Sequence, residues 1–382
     1  MIFDKVHQFN FPTTIRFGAG AVKELPAYIK QHNLKAPLVV TDPVIAQLPF
    51  FKTIIADLIN NNISVEVFSD IHKNPVKSDV YKGTDVFDQA KRDCIIGIGG
   101  GAALDVARAV VLRVEHREDL FKYDDLIGGD VYVTNGVPHF ITIPTTAGTG
   151  SEVGRSAIIA DDITHQKKIL FSPKLLAKIV FADPLLTMDL PPFITAATGM
   201  DALTHNLEAY LVNMFHPMCD GIALQGISLI SQSIEKATKQ PDLASRSRML
   251  IASLMGAVAF QKGLGVVHSL AHPLSSLLDT HHGLANAVNL PYGMEFNIEG
   301  SEEKFTKIAQ ALEIKDLHGK GVVNYLFEQN SKLNVPHKLG SIGVKPEHIE
   351  ILADLALADF AHPNNPKPVS RENFKQLYLQ AL

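Results

Sequence analysis

Cys94-Ile95-Ile96-Gly97-Ile98-Gly99-Gly100-Gly101 is the stretch that decides the fold of this chain. A short unbroken apolar run, rich in isoleucine and closed by glycines, reads as a strand buried on both faces. The next segment, about Ala102 to Val114, has helical patterning. A strand that passes through glycines into a helix lets backbone amides approach an anion at the positive end of the helix dipole. Asp105 is expected in the first turn of that helix, where a carboxylate favours the dipole. The stretch is neither G-x-G-x-x-G nor a P-loop, and a glycine triplet alone also fits an ordinary tight turn.

Similar segments lie on both sides. Leu38–Thr41 is a short apolar run, Val44 to Asn60 is helical in pattern, and Ser64–Phe68 alternates as a strand does. Phe140–Ile143 and Lys178–Ala182 are further strand candidates, the last closed by Asp183-Pro184. Strands alternating with helices predict a Rossmann-like, mostly parallel sheet covered on both faces. Thr145-Thr146-Ala147-Gly148-Thr149-Gly150-Ser151-Glu152 follows one of these strands. With Gly99, Gly100, Gly101 and Ala102 it makes a cradle for a pyrophosphate. Asp42, just past Thr41, is placed to accept bonds from a ribose hydroxyl, or serves as a plain turn residue before Pro43.

After Pro191-Pro192 the pattern turns helical: Ala196 to Met214, Gly221 to Ala237, Leu243 to Gln261, and shorter segments to the end. The expected boundary lies near Asp183, dividing residues 1–183 (α/β) from 184–382 (all-α). Within the helical half, Asp201 and His205 are four apart, and so are His268 and His272. That spacing puts both members of a pair on one helix face, where they can clamp a divalent ion. The neighbours Leu203, Leu207, Val267, Leu270 and Leu274 are apolar, so these polar groups need partners that a metal supplies. With 16 histidines in the chain, one such pair arises readily by chance. Two pairs followed by His281-His282-Gly283 are a more demanding coincidence.

At 382 residues the chain predicts two domains, and 46% hydrophobic with 20% charged residues is the balance of a globular protein. A net charge of −5 without a long Lys/Arg run argues against a nucleic-acid surface. Two cysteines, Cys94 and Cys219, cannot make a disulfide framework or a thiolate zinc site. No signal peptide is read at the N-terminus, and no run of about 18 predominantly apolar residues is read as a membrane span, so cytoplasm is the default.

Taken together these residues resemble the iron-containing (group III) alcohol dehydrogenases, whose fold is that of glycerol dehydrogenase and dehydroquinate synthase. The likeness runs from Phe17-Gly18-Ala19-Gly20 through Thr41-Asp42, the glycine triplet and Pro144–Glu152 to Ala197–His205. It continues through Gly263–Pro273, His282–Ala287 and Asn365-Pro366-Lys367. The Asp201–His205 and His268–His282 segments are the specific ones. The resemblance implies a dehydroquinate synthase-like pair of domains, with Asp201, His205, His268 and His282 as ligands of Fe²⁺, or of Zn²⁺ as the alternative. It implies that His272 faces the nicotinamide in a proton path. It also implies NAD contacts from Asp42, Asn74, Gly100, Gly101, Thr145, Thr146, Thr149 and Lys167; Gly99, Ala102, Asp105 and Ser151, beside them in sequence, are further candidate cofactor-binding residues. Lys168 competes with Lys167 for that role, and Ala102 stands where the family commonly has serine.

The activity implied is NAD-dependent interconversion of a primary or secondary alcohol and its aldehyde or ketone, with the metal as Lewis acid. Two other readings stay open at this point: a carbonyl lyase or synthase on the same fold, and a nucleotide-binding protein with a structural metal. No nucleic-acid or membrane partner is expected. A homo-oligomer is, preferably a dimer, with an N-terminal strand such as Phe9–Phe17 pairing across it or closing its own sheet.

Overall fold

Parallel strands require long crossovers, and the first half of the chain supplies helices for them. This computed structural model describes residues 11, 13–164 and 166–382. Its first half runs β1 (Thr14–Phe17), α1 (Leu25–Gln31), β2 (Pro37–Val40), α2 (Pro49–Asn60), β3 (Glu66–Phe68), α3 (Lys77–Gln89), β4 (Cys94–Gly99) and α4 (Gly101–Glu115). Then come β5 (His139–Pro144), β6 (Ser156–Ala160), β7 (Lys167–Phe171) and β8 (Ile179–Ala182). Six strands form one parallel sheet in the order β1-β8-β5-β4-β2-β3. Successive side chains on a strand face opposite ways. Leu38, Val40 and Ile95 therefore meet α3 and α4 through Val80, Phe87 and Val110. Val39, Ile96, Ile98 and Ile141 meet α1 and α2 through Leu25, Ile29, Ile54 and Leu58. Both faces are covered, which is why these strands read as continuous apolar runs.

The second half holds α5 (Pro192–Leu211), α6 (Pro217–Ser231), α7 (Ile234–Lys239), α8 (Leu243–Ala259), α9 (Val266–Leu278) and α10 (His282–Phe296). It closes with α11 (Glu302–Ala311), α12 (Gly319–Lys332), α13 (Ile349–Leu357) and α14 (Arg371–Ala381). Residues 190–382 form one compact unit together with Ala147–Thr149, and residues 13–146 and 150–189 form the other. Helix α5 is buried on every side from Thr195 to Leu211 and packs against α6, α8 and α10. Its buried polar groups, Asp201, His205, Asn206 and Glu208 among them, therefore need partners inside the core.

Several expectations need correction. Helix α4 begins at Gly101, so Asp105 is its fifth residue and lies beyond the first turn. The antiparallel pair β6–β7, with Ile158 opposite Ile169, was not expected at all. The segment expected as one helix over 221–237 breaks at Gln232-Ser233. The helix expected from Val44 starts at Pro49, after a separate 3-10 turn. One helical run, Leu243–Lys262, is long and apolar enough to cross a membrane by length and composition. It is the core helix α8 with the turn that follows, packed on α5 and α6. Of the expected Phe9–Phe17 strand, Thr14–Phe17 is an edge of the sheet among the described residues, while Phe9, Asn10 and Pro12 lie outside them.

Candidate active site

Four donors converge from three helices: Asp201 and His205 on α5, His268 on α9, and His282 at the start of α10. Their ligand atoms all lie within 4.8 Å of one another. Asp201 Oδ1 is 3.9 Å from His205 Nε2 and 3.6 Å from His282 Nε2. The rings of His205 and His268 stack at 4.8 Å. Asp201, His205 and His268 are buried. Burial, opposed by the nearby Asp201 charge, brings His205 down to about 4, so its imidazole is neutral near pH 7, as a ligand must be. One carboxylate with three imidazoles fits a divalent ion of borderline softness.

A second layer fixes these rings. Glu208 Oε2 is 2.6 Å from His268 Nδ1, and its other oxygen accepts the Val267 N–H at 2.7 Å. One buried carboxylate thus caps the start of α9 and turns Nε2 of His268 toward the other donors. Burial lowers His268, but the Glu208 hydrogen bond and the charges of Glu208 and Asp201 outweigh it and leave the imidazole raised. His205 Nδ1 faces the Gly148 carbonyl at 3.3 Å. His272 stands beside the four donors and outside their group, its ring stacked 5.3 Å from that of His282. Its Nδ1 meets Asp359 Oδ2 at 2.7 Å. Asp359 Oδ1 accepts from Ser269 Oγ at 2.6 Å and the Ala361 N–H at 2.9 Å. Burial would raise this carboxyl, yet His272, Ser269 and the Ala361 amide hold it at about 2. His281, unassigned from sequence, packs edge-on against Phe193.

Sequence reasoning missed Glu208, Asp359 and Asn286. Glu208 carried a signal, since 201, 205 and 208 follow i, i+4, i+7 on one helix face. Asn286 lies one turn beyond His282. Asp359 had none, being far in sequence from His272.

The candidate nucleotide loops follow the carboxyl ends of β2, β3, β4 and β5, and the strand order reverses between β2 and β4. Ligands of parallel sheets bind at such a reversal. Asp42 Oδ1 accepts the N–H groups of Val44 and Ile45, both at 2.9 Å. Its Oδ2 lies 3.7 Å from where a Cβ on Gly99 would stand. Gly99 has φ +153°, and a Cβ there would come within 2.7 Å of Ala103 Cβ, so only glycine fits. The Thr145 N–H donates to Gly99 O at 3.0 Å and ties the two loops together. A Cβ on Gly100 would lie 3.3 Å from Thr146 Oγ1, and Ala102 follows in the first turn of α4. The Thr145 hydroxyl is buried without a hydrogen-bond partner.

Asp105 is engaged otherwise than in dipole pairing. It accepts from Ser151 Oγ at 2.7 Å, the Ile158 N–H at 3.1 Å and Arg108 at 3.2 Å. Asp105, Ser151 and the buried Arg108 thereby fasten the second loop to α4 and β6. Lys167 and Lys168 are neighbours on β7 and face opposite ways. Lys168 pairs with buried Asp124 at 3.3 Å, whereas the Lys167 charge acts on Asp105. Thr149 lies in the short segment that packs with the helical unit, and Asn74 follows β3.

A model of the iron-containing alcohol dehydrogenase family matches residues 12–184, and a model of that family's C-terminal part matches residues 195–382. The chain is 34% identical over 380 residues to a 4-hydroxybutyrate dehydrogenase of Cupriavidus necator, covering 97% of this chain and 98% of that one. It is 32% identical over 382 residues to an NAD-dependent methanol dehydrogenase of Bacillus methanolicus, covering 98% and 99%. Among solved structures, a 1,3-propanediol oxidoreductase superposes with a TM-score of 0.94 at 30% identity, over 99% of this chain and 100% of that one.

Proposed function

This chain belongs to the iron-containing alcohol dehydrogenase family, and from that premise we propose that Asp201, His205, His268 and His282 hold its metal and the loops after β2, β3, β4 and β5 hold NAD. The protein is an NAD-dependent alcohol dehydrogenase that uses iron. The observation that carries the residue assignment is the convergence of four donors within 4.8 Å on three helices. The substrate is a short primary alcohol or its aldehyde, a reading supported by relatives named for methanol, 1,3-propanediol and 4-hydroxybutyrate.

An ion held by these four residues would supply Lewis acidity toward the alcohol oxygen, and NAD held at the loops would supply the hydride acceptor. The protein supplies orientation and a path for the proton. Glu208 keeps the proton of His268 on Nδ1 and leaves Nε2 as the donor lone pair. The Gly148 carbonyl does the same for His205. Asp359 holds His272 through Nδ1, leaving Nε2 to take the proton that alcohol oxidation releases. At the loops, Gly99, Gly100 and Gly101 bring backbone close to the pyrophosphate, with Thr145, Thr146 and Thr149 offering hydroxyls. Asp42 accepts ribose hydroxyls and repels a 2′-phosphate. Asn74 and Lys167 complete the cofactor contacts.

Following NADH absorbance with Fe²⁺ or Zn²⁺, NAD⁺ and a panel of short alcohols tests the reading. Turnover that depends on the ion and is lost in His205→Ala supports it, and ion-independent turnover overturns it. A homodimer in the cytoplasm completes the proposal. Its supports are the exposed edge strand β1, with Phe17 at 42% exposure, and two buried free thiols, Cys94 and Cys219. Sedimentation showing a monomer at micromolar concentration would remove the dimer.

A further inference from the structure

Asn286 is fully buried on α10, and its side-chain nitrogen sits among the donor atoms themselves. Nδ2 lies 2.7 Å from Asp201 Oδ1, 3.1 Å from His282 Nε2 and 3.3 Å from His268 Nε2. The carboxylate decides which end of the amide is nitrogen. A carboxylate oxygen only accepts, so the end 2.7 Å from Asp201 Oδ1 is the NH₂. The other end of the amide, Oδ1, is buried with no hydrogen-bond partner. A side chain needed only for packing would be apolar here, since leucine has the same branched skeleton and leaves no carbonyl unmet. The N–H end is what the position requires.

We propose, resting on the metal reading above, that Asn286 is a positioning residue of the metal centre. Its amide holds the Asp201 carboxylate so that Asp201, His268 and His282 keep one spacing and orientation toward a divalent cation. A carboxylate ligand free to rotate would lose its register with the imidazoles. Groups that orient metal ligands in this way are typically worth about 10–100-fold in metal affinity.

The test is loss of Co²⁺ from the loaded full-length protein under chelator competition, with the visible Co²⁺ band as a second readout and thermal unfolding as the check of fold. Asn286→Leu, Asn286→Ala and His205→Ala are compared with the unmodified chain. The expected result is folded Asn286 variants that bind Co²⁺ about 10–100-fold more weakly, with a shifted band, and a His205→Ala protein that fails to retain the ion. Should the leucine variant fail to fold, the smaller alanine variant gives the same comparison. Unchanged affinity and band in the Asn286 variants, with the ion still lost from His205→Ala, overturns the role of Asn286 alone. Retention of the ion by His205→Ala overturns the metal reading instead.

Discussion

His268 and His272 are one helical turn apart and carry different second partners, Glu208 and Asp359. Removing each should therefore fail differently. His205→Ala or His268→Ala should lose ion and turnover together, read as metal content and rate on one sample. His272→Ala should keep near-full metal and lose about 10²–10⁴-fold in rate, the usual worth of a positioned proton acceptor. Metal loss in His272→Ala equal to that of His268→Ala would make His272 a ligand. At Asp42, Oδ1 is spent on two backbone amides and Oδ2 points toward Gly99, so one oxygen is left for a ribose. Asp42→Gly should narrow the preference for NAD⁺ over NADP⁺, measured as the ratio of kcat/KM. Equal efficiency of the unmodified chain with both cofactors would reject that placement.

Between elements, the tightest approach at the site is α10 against α5. A Cβ on Gly283 would lie 2.4 Å from the Ala197 carbonyl oxygen and 3.3 Å from Asp201 Cβ. Gly283→Ala must push the two helices apart, and overpacking of this kind costs about 1–3 kcal/mol. The expected outcome is a lower thermal midpoint together with weaker metal binding, because His282 is the residue before Gly283. A variant that lost stability but held metal normally would show that α10 can shift without moving His282. The same packing explains what was legible in sequence. Donor side chains four apart on one helix show themselves, and so does a strand such as Cys94–Gly99 whose two faces are both covered. What Glu208 does was hidden because it depends on where α9 starts in space, and the contact between His272 on α9 and Asp359 just past α13 joins segments that no local pattern links. The break at Gln232-Ser233 was hidden for another reason: apolar periodicity continues across it. Asp105 was misplaced because Gly101, read as turn, is already helix.

For the molecule as a whole, Glu152 sets a pH dependence in the α/β unit. It is buried, its Oε1 has no hydrogen-bond partner, and burial outweighs the nearby Arg108 charge to raise its carboxyl from 4.5 to about 7. A raised carboxyl favours the folded state in its protonated form. That contribution is complete below 4.5 and is lost as pH rises through about 7. At about 1.4 kcal/mol per pH unit the loss is on the order of 3 kcal/mol. Glu152→Gln should remove the decline, so denaturant unfolding at pH 5 and pH 8 should differ less in the variant than in the unmodified chain. An unchanged difference would place the pH dependence elsewhere.

The donors on α5 and α10 have a consequence for the unfolded chain as well. Asp201 and His282 lie about 80 positions apart, and joining the ends of a flexible loop of that length costs about 4 kcal/mol in chain entropy. With Cys94 and Cys219 both free, the chain has no covalent staple, and on the proposed ligand set an ion bound by donors from three helices would take that place. A chelator would then do to this protein what a reductant does to a disulfide-bonded one, cutting a cross-link and letting the helical segments part.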